Sequence, residues 1–438
     1  MKILLSTTTL KRKRFSIFPL GLCYVATALY NDNHNVRIFD SYLSKEPIKD
    51  IGNILEEFKP DIVGVSVTCI DTANSYEKSS YMKDTVSYIK SVKKMAKIST
   101  IIVGGSGFSL FPAKIMNDIP EIDFGIYLEG EETSIELLNN LSFPSKTKGI
   151  FYRNRGRVFF SGERQTLSFD NLPSLRRDFL NVDNYGTFND QMGVQTKRGC
   201  VFGCIYCTYP FLNGKSIRLR DPYKVVDELE WLSSKGIKKI FFVDSVFNFP
   251  KEHAETICKE MLKRNIKIGW RAFFNEKFID RDFILLAKES GCNLFMLGTD
   301  GASTNALRNL NKVFTFPEVN KAYTLFRENK SANFDGAFMF NAPGDNLKSI
   351  INILKLIIPS ILTMRFRFHI TNMRIYPNTF LRKLAIEKGI IKQDADLLLP
   401  IYYDPWPLKF ISYFVNFFQN ILYFAKLLYC SFVIKFKK

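Results

Sequence analysis

The amino-acid sequence predicts an α/β protein in which an N-terminal doubly wound parallel sheet precedes a partial (β/α)6 barrel and a C-terminal helical tail. Two observations predict the α/β parts: β-branched runs alternate with helical patterns through the first 150 residues, and the alternation resumes near residue 195. A third predicts the tail, because the last forty residues are dense in Phe, Tyr, Leu and Ile. Since 438 residues exceed what one core usually organises, we expect domains at 1–150 and 191–390, joined by residues 151–190 and followed by residues 391–438.

Composition is consistent with a cytoplasmic enzyme. The start MKILLS is too short for a signal peptide and is interpreted as a first strand. The basic run Lys11–Arg14 that follows is interpreted as a solvated loop, although its position at the strand ends permits a role with an anionic substrate. The net charge of +18 indicates an acidic partner. Nucleic acid, anionic lipid headgroups and a phosphorylated substrate all fit that charge, so charge alone does not choose among them.

The first domain contains five strand patterns: ILLST, VRIFD, DIVGVSV, TIIVGG and DFGIYL. Helical patterns lie around 20–31, 48–58, 74–97 and 112–118. Ligands of doubly wound sheets bind beyond the carboxyl ends of the strands, which is where Ser66, Thr68 and the turn from Gly104 to Gly107 lie. Glycines in that turn let the backbone approach a bulky ligand closely.

A hairpin, FYRNRGRVFFSG, and the linker SFDNLPSLRRDFL connect this domain to the second one. There the predicted strands are VQTKRG, KKIFFVD, KIGWRAFF, LFMLGTD, NFDGAFMF and FRFHITNMRIY. Six parallel strands with intervening helices predict a partial α/β barrel whose site lies at the carboxyl ends of the strands.

Three cysteines, Cys200, Cys204 and Cys207, lie in the run TKRGCVFGCIYCTYP. Their spacing predicts three thiolate ligands to a 4Fe-4S cluster, with one iron left open for a small molecule. A zinc site would need a fourth ligand, and the nearest additional His and Cys, His253 and Cys258, lie in a helical stretch far along the chain. Three unrelated core thiols are the remaining alternative.

The CxxxCxxC loop, with Tyr206 just before its last cysteine, resembles the radical S-adenosylmethionine (radical SAM) superfamily. The resemblance implies that the open iron chelates the amino and carboxylate groups of S-adenosylmethionine. It also implies that one electron, from a reductant such as flavodoxin or ferredoxin, cleaves the sulfonium to a 5′-deoxyadenosyl radical. The protein then supplies positioning and exclusion of water.

Landmarks in the first domain resemble the cobalamin-binding domain that precedes many radical SAM cores: PLGLCYVATAL, NHNVRIFD, PDIVGVSVT, IIVGGSG and LEGEET. The resemblance implies cobalamin binding at Ser66, Thr68, Gly104, Gly105 and Glu131. The DxHxxG motif is absent and His34 is interpreted as structural, so we expect cobalamin without a protein histidine ligand. A degenerate domain that has lost its ligand is the alternative.

Strand ends of the second domain carry residue types that the superfamily places around the nucleoside. LGTDGASTNALRNLNK resembles its GIESGS-type segment, NAPGD its GxPGE turn and RIYPNT its PYPGT-like strand end, with Asn341 and Asn378 in place of glycines. The resemblance implies that Asp244, in FFVDSVFNF after the second strand, receives the methionyl amino group, and Arg271 in GWRAFF is interpreted as ending the third strand. The S-adenosylmethionine contacts implied by the resemblance are Asp244, Arg271, Asp300, Ser303, Pro343 and Gly344.

The tail LKFISYFVNFFQNILYFAKLLYCSFVIKFKK is long enough for a membrane span, but polar residues interrupt it. Asn416, Gln419, Tyr423 and Lys426 recur at three- and four-residue steps, which places them on one helix face. Such a helix fits peripheral membrane contact, and it fits equally a buried surface on the barrel.

Together these features predict a cobalamin-dependent radical SAM methyltransferase acting on an unactivated carbon of a small, lipid-like or anionic substrate in an anaerobe. Radical cyclisation or rearrangement, as in the anaerobic porphyrin-ring cyclases that the arrangement resembles, is the close alternative, and a non-catalytic cobalamin or redox sensor is the distant one. Nucleic acid is not favoured as a partner. No catalytic acid or base is assigned among the polar residues near predicted strand ends, which are Tyr209, Arg271, Arg365, Arg367, His369 and Tyr376.

Overall fold

The computed structural model describes residues 1–8, 17–73, 75, 78–166, 168–169, 174–185, 192–329, 332–339 and 341–405. The basic run Lys11–Arg14 and the predicted tail helix after residue 405 lie outside these residues. The part of residues 391–438 that is described, 391–405, contains a loop and a short strand. No helix in the described ranges combines the length and apolar character that a membrane span requires.

The first sheet has seven strands in the described part of the chain. They are β1 (Lys2–Thr7), β2 (Asn35–Phe39), β3 (Ile62–Ser66), β4 (Thr100–Gly104), β5 (Phe124–Ile126), β6 (Ile150–Asn154) and β7 (Arg157–Phe160). Their order is β2-β1-β3-β4-β5-β6-β7, with β1 to β5 parallel as predicted. The strand order reverses between β1 and β3, and this switch point is where ligands of doubly wound sheets bind.

The predicted hairpin forms β6, which pairs antiparallel with β5, and β7, which pairs antiparallel with β6. The first sheet therefore continues to residue 160, so the boundary predicted at residue 150 cuts it. The reason is that antiparallel pairing extends the parallel sheet at its edge, where β5 offers unpaired backbone groups.

Helices of the first domain cover the sheet, and four of the six in the described residues match predicted helical patterns, one of them with a later start. The six are α1 (Leu20–Asn31), α2 (Pro47–Phe58), α3 (Met82–Met95), α4 (Ser106–Leu110), α5 (Pro112–Asp118) and α6 (Glu131–Asn139). The helices over 106–110 and 131–139 were not predicted. The helix predicted over 74–97 begins later in the structure, at Met82. Asp71 pairs with Ser80 in an isolated antiparallel bridge, and the Ser80 hydroxyl accepts a hydrogen bond from the Met82 N–H at 3.3 Å, so the helix begins only at Met82.

Six parallel strands form the second sheet in the described residues, which confirms the partial barrel. They are β8 (Gly193–Val194), β11 (Lys239–Phe242), β12 (Gly269–Phe274), β13 (Cys292–Asp300), β14 (Phe334–Met339) and β15 (Phe366–Thr371), in the order β15-β14-β13-β12-β11-β8. Between β8 and β11, β9 (Lys197–Arg198) pairs antiparallel with β10 (Arg218–Leu219). The run FRFHITNMRIY is broken at Asn372, because β16 (Met373–Arg374) leaves the sheet to pair with β17 (Tyr402–Tyr403).

Eight α-helices of the second domain lie in the described residues. They are α7 (Tyr209–Asn213), α8 (Pro222–Ser234), α9 (Lys251–Lys263), α10 (Arg281–Glu289), α11 (Thr304–Asn309), α12 (Phe316–Glu328), α13 (Leu347–Ile361) and α14 (Phe380–Glu387). Four neighbouring strands, β12 to β15, contribute Trp270, Phe295, Phe334 and Phe366 to a core shared with α8 to α10, α12 and α13, which pack on one face of the sheet. The opposite face of the sheet carries the intervening residues, such as Arg271 and His369, and stays free of these helices. By contrast, α7 and α14 pack against the core shared with the first domain.

The two domains share buried surfaces. Apolar side chains of β3, β4 and α3 form one core with Ile205, Leu310 and Leu381 of the second domain. Within this contact the Arg374 Nε lies 3.0 Å from Asp71 Oδ2, and both side chains are at most 4% exposed. The carboxyl ends of the two sheets are thereby held together around a single site.

Candidate functional site

The three cysteines lie on one loop that the backbone fixes from both sides. The Cys200 N–H donates to the Gly214 carbonyl at 3.1 Å, and the Ile205 N–H donates to the Leu310 carbonyl at 3.2 Å. Gly199 has φ of +88°, and a Cβ there would lie 1.9 Å from the Ser216 carbonyl oxygen. Only glycine fits at that position, so the approach to Cys200 depends on it.

Burial sets the chemistry of these thiols. It raises the pKa of Cys204, and it raises the pKa of Cys207 to about 12 despite the hydrogen bond from the Tyr209 N–H to the Cys207 Sγ at 3.4 Å. The Lys312 ammonium opposes both shifts. Such thiols become thiolates when a metal takes up the charge, as cluster assembly requires. In the described chain no three His, Cys, Asp or Glu side chains are arranged to hold a single metal ion, and a cluster spreads its ligands over separate irons.

Tyr206 connects the cysteine loop to the end of β13. Its hydroxyl donates a hydrogen bond to Asp300 Oδ2, and the same oxygen forms an ion pair with the Lys312 ammonium. Asp300 has a left-handed backbone with φ of +59° and is 4% exposed. One carboxylate oxygen of this predicted S-adenosylmethionine contact is therefore engaged within the protein.

Asp244, predicted to receive the methionyl amino group, is also engaged. Its Oδ1 accepts hydrogen bonds from the N–H groups of Thr196 at 2.8 Å and Lys197 at 3.2 Å, and its Oδ2 accepts from the Thr196 hydroxyl at 2.6 Å. The side chain is fully buried and ties the segment before the cysteine loop to β11. A contact between Asp244 and the methionyl amino group remains a prediction.

Ser303, Pro343 and Gly344 come together at the ends of β13 and β14. The Ser303 hydroxyl caps α11 by accepting from the Ala306 N–H at 3.1 Å. Asn309 Nδ2 donates to the Pro343 carbonyl at 3.0 Å, which holds the NAPGD turn against α11. Asn341 has φ of +65°, as its replacement of a glycine predicts, whereas Asn378 has no positive φ.

The position predicted for Arg271 is wrong in one respect. The residue does not end the third strand, because β12 continues for three residues to Phe274. Arg271 faces away from the barrel helices, its guanidinium lies 5.0 Å from the centre of the Phe241 ring, and it lines a cavity shared with the first domain.

That cavity, of about 700 Å³, brings the five residues predicted to contact cobalamin together. It begins at the switch point of the first sheet and extends between the sheet and α1 along apolar side chains that include Leu5, Val25 and Ile102. The barrel closes its other side with Phe241 and Arg271. The predicted residues in its wall are Ser66, Thr68, Gly104, Gly105 and Glu131.

The wall suits a large planar ligand that contacts backbone. Gly105 has φ of +102°, and a Cβ there would lie 2.6 Å from the Val67 carbonyl oxygen. All three histidines of the chain lie in the described part, and none lines the cavity. His34 lies just before β2, at the amino ends of the strands, where its Nε2 is 3.3 Å from Asp32 Oδ2. The residues fit cobalamin held without a histidine ligand.

A buried ion cluster links this cavity to the cysteine loop. Arg198, two residues before Cys200, donates from Nη2 to Glu131 Oε1 at 2.6 Å and lies 3.6 Å from Glu129 Oε1. Arg218 Nη1 donates to Glu129 Oε2 at 2.9 Å. The four side chains are between 6% and 13% exposed. Glu131 therefore lines the cavity while its Oε1 accepts a hydrogen bond from Arg198 of the second domain.

Two further acid–base groups lie in the barrel. His369 and Asp335 are on the sheet face that carries Arg271, with His369 Nε2 3.1 Å from Asp335 Oδ2, and this contact raises the pKa of the histidine. Glu276 is fully buried beyond β12, where Thr299 Oγ1 donates to it at 2.7 Å. Its Oε2 has no hydrogen-bond partner, and burial raises its pKa to about 7.

Sequence reasoning missed the ion cluster and Lys312. Arg198 lies within the quoted TKRGC run, Glu129 within LEGEET and Lys312 at the end of LGTDGASTNALRNLNK. The signal was a basic residue two positions before Cys200 and two acidic residues of LEGEET, Glu129 and Glu131, in the other domain.

Two family models match the chain. The B12 binding domain matches residues 10–138, and the Radical SAM superfamily matches residues 194–357. The first match spans β2 to β5 and the second spans β11 to β14, and this pair of domains brings a 4Fe-4S cluster, S-adenosylmethionine and cobalamin as cofactors.

Relatives agree with this pairing. An uncharacterized methyltransferase of Pyrococcus horikoshii is 30% identical over 68% of this chain and 64% of its own length. The anaerobic magnesium-protoporphyrin IX monomethyl ester cyclase of Cereibacter sphaeroides is 25% identical over 71% of this chain and 51% of its own length. The chain thus spans less than two thirds of either relative.

The solved structure of the radical S-adenosylmethionine methyltransferase TsrM from Kitasatospora setae, with tryptophan and an S-adenosylmethionine analogue, has the same fold. It superposes with a TM-score of 0.78 over 93% of this chain and 81% of its own, at 20% identity. With both family matches in chain order and this fold, the chain belongs to the radical S-adenosylmethionine superfamily, among the members that carry a B12-binding domain before the radical core.

Proposed function

We propose that this protein is a cobalamin-dependent radical SAM methyltransferase that methylates an unactivated carbon of a small substrate. One observation carries the proposal: a single cavity joins the switch point of the first sheet to the helix-free face of the barrel. A methyl carrier in the first domain and a substrate on the barrel would then meet without crossing solvent. The name of the Pyrococcus relative supports methyl transfer.

The cofactor positions follow from the chain's own residues. Cys200, Cys204 and Cys207 are the ligands for the cluster, and the glycine-rich wall at Gly104 and Gly105 is the surface for cobalamin. When bound, the cluster and S-adenosylmethionine supply one-electron bond cleavage, and cobalamin supplies a methyl group. The buried Arg198 cluster holds these two surfaces in fixed relation and excludes water between them.

The helix-free face of the barrel supplies charge for substrate binding. Arg367 and His369 are exposed neighbours on β15, and Arg271 lies on β12 on the same face. The pairing of His369 Nε2 with Asp335 favours the protonated, cationic imidazole. These groups support a substrate with an anionic group. A lipid-like substrate was predicted from the tail, which is not among the described residues.

Radical cyclisation or rearrangement without methyl transfer is the second candidate. The specific observation in its favour is the Cereibacter relative, which is named as a cyclase. A non-catalytic sensor has less support, because it needs no second sheet with acid–base groups on its helix-free face.

The test uses anaerobically purified protein with a reconstituted cluster, incubated with cobalamin and passed through gel filtration. We expect near-stoichiometric cobalamin by visible absorbance. Reduction with S-adenosylmethionine should then yield both 5′-deoxyadenosine and S-adenosylhomocysteine, the latter because methyl transfer leaves it behind. 5′-Deoxyadenosine without S-adenosylhomocysteine would favour cyclisation, and the absence of both products would contradict a radical enzyme.

Two partners belong to the proposal. A low-potential flavodoxin or ferredoxin supplies the electron, and residues 407–438 contact a membrane surface. For the second partner, the full chain should sediment with anionic liposomes more than a chain ending at Trp406. Equal sedimentation of the two would contradict membrane contact through the tail.

A further inference from the structure

The segment that follows α11 packs directly under the cysteine loop. Asn311 has a left-handed backbone, with φ of +57°, and its Nδ2 donates to the Gly203 carbonyl at 2.8 Å. A Cβ on Gly203 would lie 2.6 Å from that same nitrogen, so the loop and the segment are in close contact. Together with the hydrogen bond between Ile205 and Leu310, this contact fixes where the next residue, Lys312, enters.

Lys312 extends beneath Tyr206 into the protein. Its side chain is 8% exposed, and its ammonium donates to the Gly298 carbonyl at 2.9 Å and pairs with Asp300. The ammonium also lies 5.6 Å from the centre of the Tyr206 ring and 5.5 Å from that of Phe314. A lysine is rarely buried this far unless a charge or ring holds it, and here both do.

The charge lies against the cysteine loop. Tyr206 stands between Cys204 and Cys207 in the sequence, so an ammonium 5.6 Å from the centre of its ring lies next to the loop that carries both thiols. Asp300 is the acid paired with Lys312, and Glu276 is a second buried acid near it. Because the Asp300 carboxylate also accepts the Tyr206 hydroxyl, both charges of the pair contact the loop through the same residue.

We propose that Lys312 is a positioning residue whose buried charge raises the reduction potential of the cluster and whose contact with Asp300 orients Tyr206 in the cysteine loop. The inference rests on the proposed function only for cluster ligation by the three cysteines. The step is addition of one electron from a flavodoxin- or ferredoxin-class donor to the oxidised cluster, with no proton and no bond change. A fixed positive charge in a low-dielectric site lowers the free energy of the added negative charge.

A purely structural role for Lys312, as the counter-ion of Asp300, makes a different prediction. Loss of either partner would then disturb the same contact and shift the potential in the same direction. A charge effect requires opposite directions, because Lys312→Met removes a positive charge and Asp300→Asn removes a negative one. Asparagine keeps an oxygen that accepts the Tyr206 hydrogen bond.

The experiment is a potentiometric titration followed by electron paramagnetic resonance on the reconstituted full chain, without S-adenosylmethionine. In Lys312→Met we expect the ratio of reduced to oxidised cluster at a fixed potential to fall at least tenfold, which is 59 mV for one electron. Asp300→Asn should shift the ratio upward, and Lys312→Arg should stay within threefold of the unaltered protein. Iron content is measured for every variant.

Shifts of the same sign in Lys312→Met and Asp300→Asn, or a ratio within twofold of the unaltered protein in Lys312→Met, would overturn the inference. If Lys312→Met assembles no cluster, Lys312→Gln replaces it, since an amide can still donate to Asp300 and Gly298, and an unchanged potential there overturns the inference equally. If the unaltered chain binds no iron, the cluster assignment in the proposed function fails instead, and the two failures are distinguishable.

Discussion

The carboxyl ends of the two parallel sheets differ in what their polar residues contact. At the first sheet, Ser66, Thr68 and Gly105 face a large cavity, and the two hydroxyls lie 3.3 Å apart. At the second sheet, Asp244 and Asp300 are bound to other parts of the protein. The first strand-end surface therefore offers backbone and small side chains to a ligand. At the second, the Asp244 and Asp300 carboxylates form hydrogen bonds that fix the loop carrying the cysteines and the segment before it.

The largest effect that tests this difference is removal of the cysteines. Replacing Cys200, Cys204 and Cys207 with Ala should abolish iron binding and 5′-deoxyadenosine formation, because no other thiol lies on the loop. Cobalamin should still be retained by the first domain. Iron analysis and visible absorbance after gel filtration measure both. The control is Cys258→Ala, at a buried position of α9, which should keep its iron. Unchanged iron in the triple variant would contradict cluster ligation.

The ion cluster between the two surfaces provides the next largest effect. Arg198→Met leaves Glu129 and Glu131 less compensated in a buried site, so we expect a loss of roughly 3–5 kcal/mol in the free energy of unfolding. Arg37→Met, which breaks an exposed pair with Glu57, should cost less than about 1 kcal/mol. Urea unfolding of protein without the iron–sulfur cluster measures the free energy of unfolding of both variants. Equal losses would show that the buried cluster does not join the domains energetically.

The pH dependence of stability at Glu276 tests the second domain alone. Its pKa is raised from 4.5 to about 7 by burial, so the folded state keeps a proton that the unfolded state loses. The contribution to stability is present in full below pH 4.5 and is lost as the pH rises through about 7, a fall of about 3 kcal/mol. Glu276→Gln should remove this slope. Unfolding free energies of both proteins between pH 5 and 8 measure it, and parallel pH profiles would contradict the assignment.

The sequence predicted the part of the fold and site that follows backbone rules. The five parallel strands of the first sheet follow from local sequence patterns. Their order and switch point then place Ser66, Thr68 and Gly104 at one cavity, independently of the contacts that their side chains make. It could not predict the partners of Asp244, because the hydrogen bonds from Thr196 depend on two loops that are 48 residues apart. The position of Arg271 within its strand was mispredicted for a related reason. Pairing with β13 continues β12 to Phe274, and local composition does not show where that pairing ends.

The smallest effect concerns the first region and sharpens the claim that its cavity is open. Gly21 lines the cavity, and a Cβ built on it has no atom within 4 Å, so a larger side chain there can occupy the space without displacing a neighbour. Gly21→Trp should weaken cobalamin binding about tenfold, or about 1.4 kcal/mol, by competing for volume. Gly21→Ala should have a smaller effect, since its methyl group occupies little of the cavity.

The control for Gly21→Trp is Ile98→Trp, at a fully exposed position of the same domain before β4, which should leave cobalamin affinity unchanged. Equilibrium titration followed by visible absorbance measures affinity, and iron content confirms that the cysteine loop is intact. Because Gly21 makes no contact that the cluster loop needs, a loss of cobalamin with full iron would show that the two strand-end surfaces bind their ligands separately. Equal affinity in Gly21→Trp and Ile98→Trp would mean that cobalamin does not use this end of the cavity.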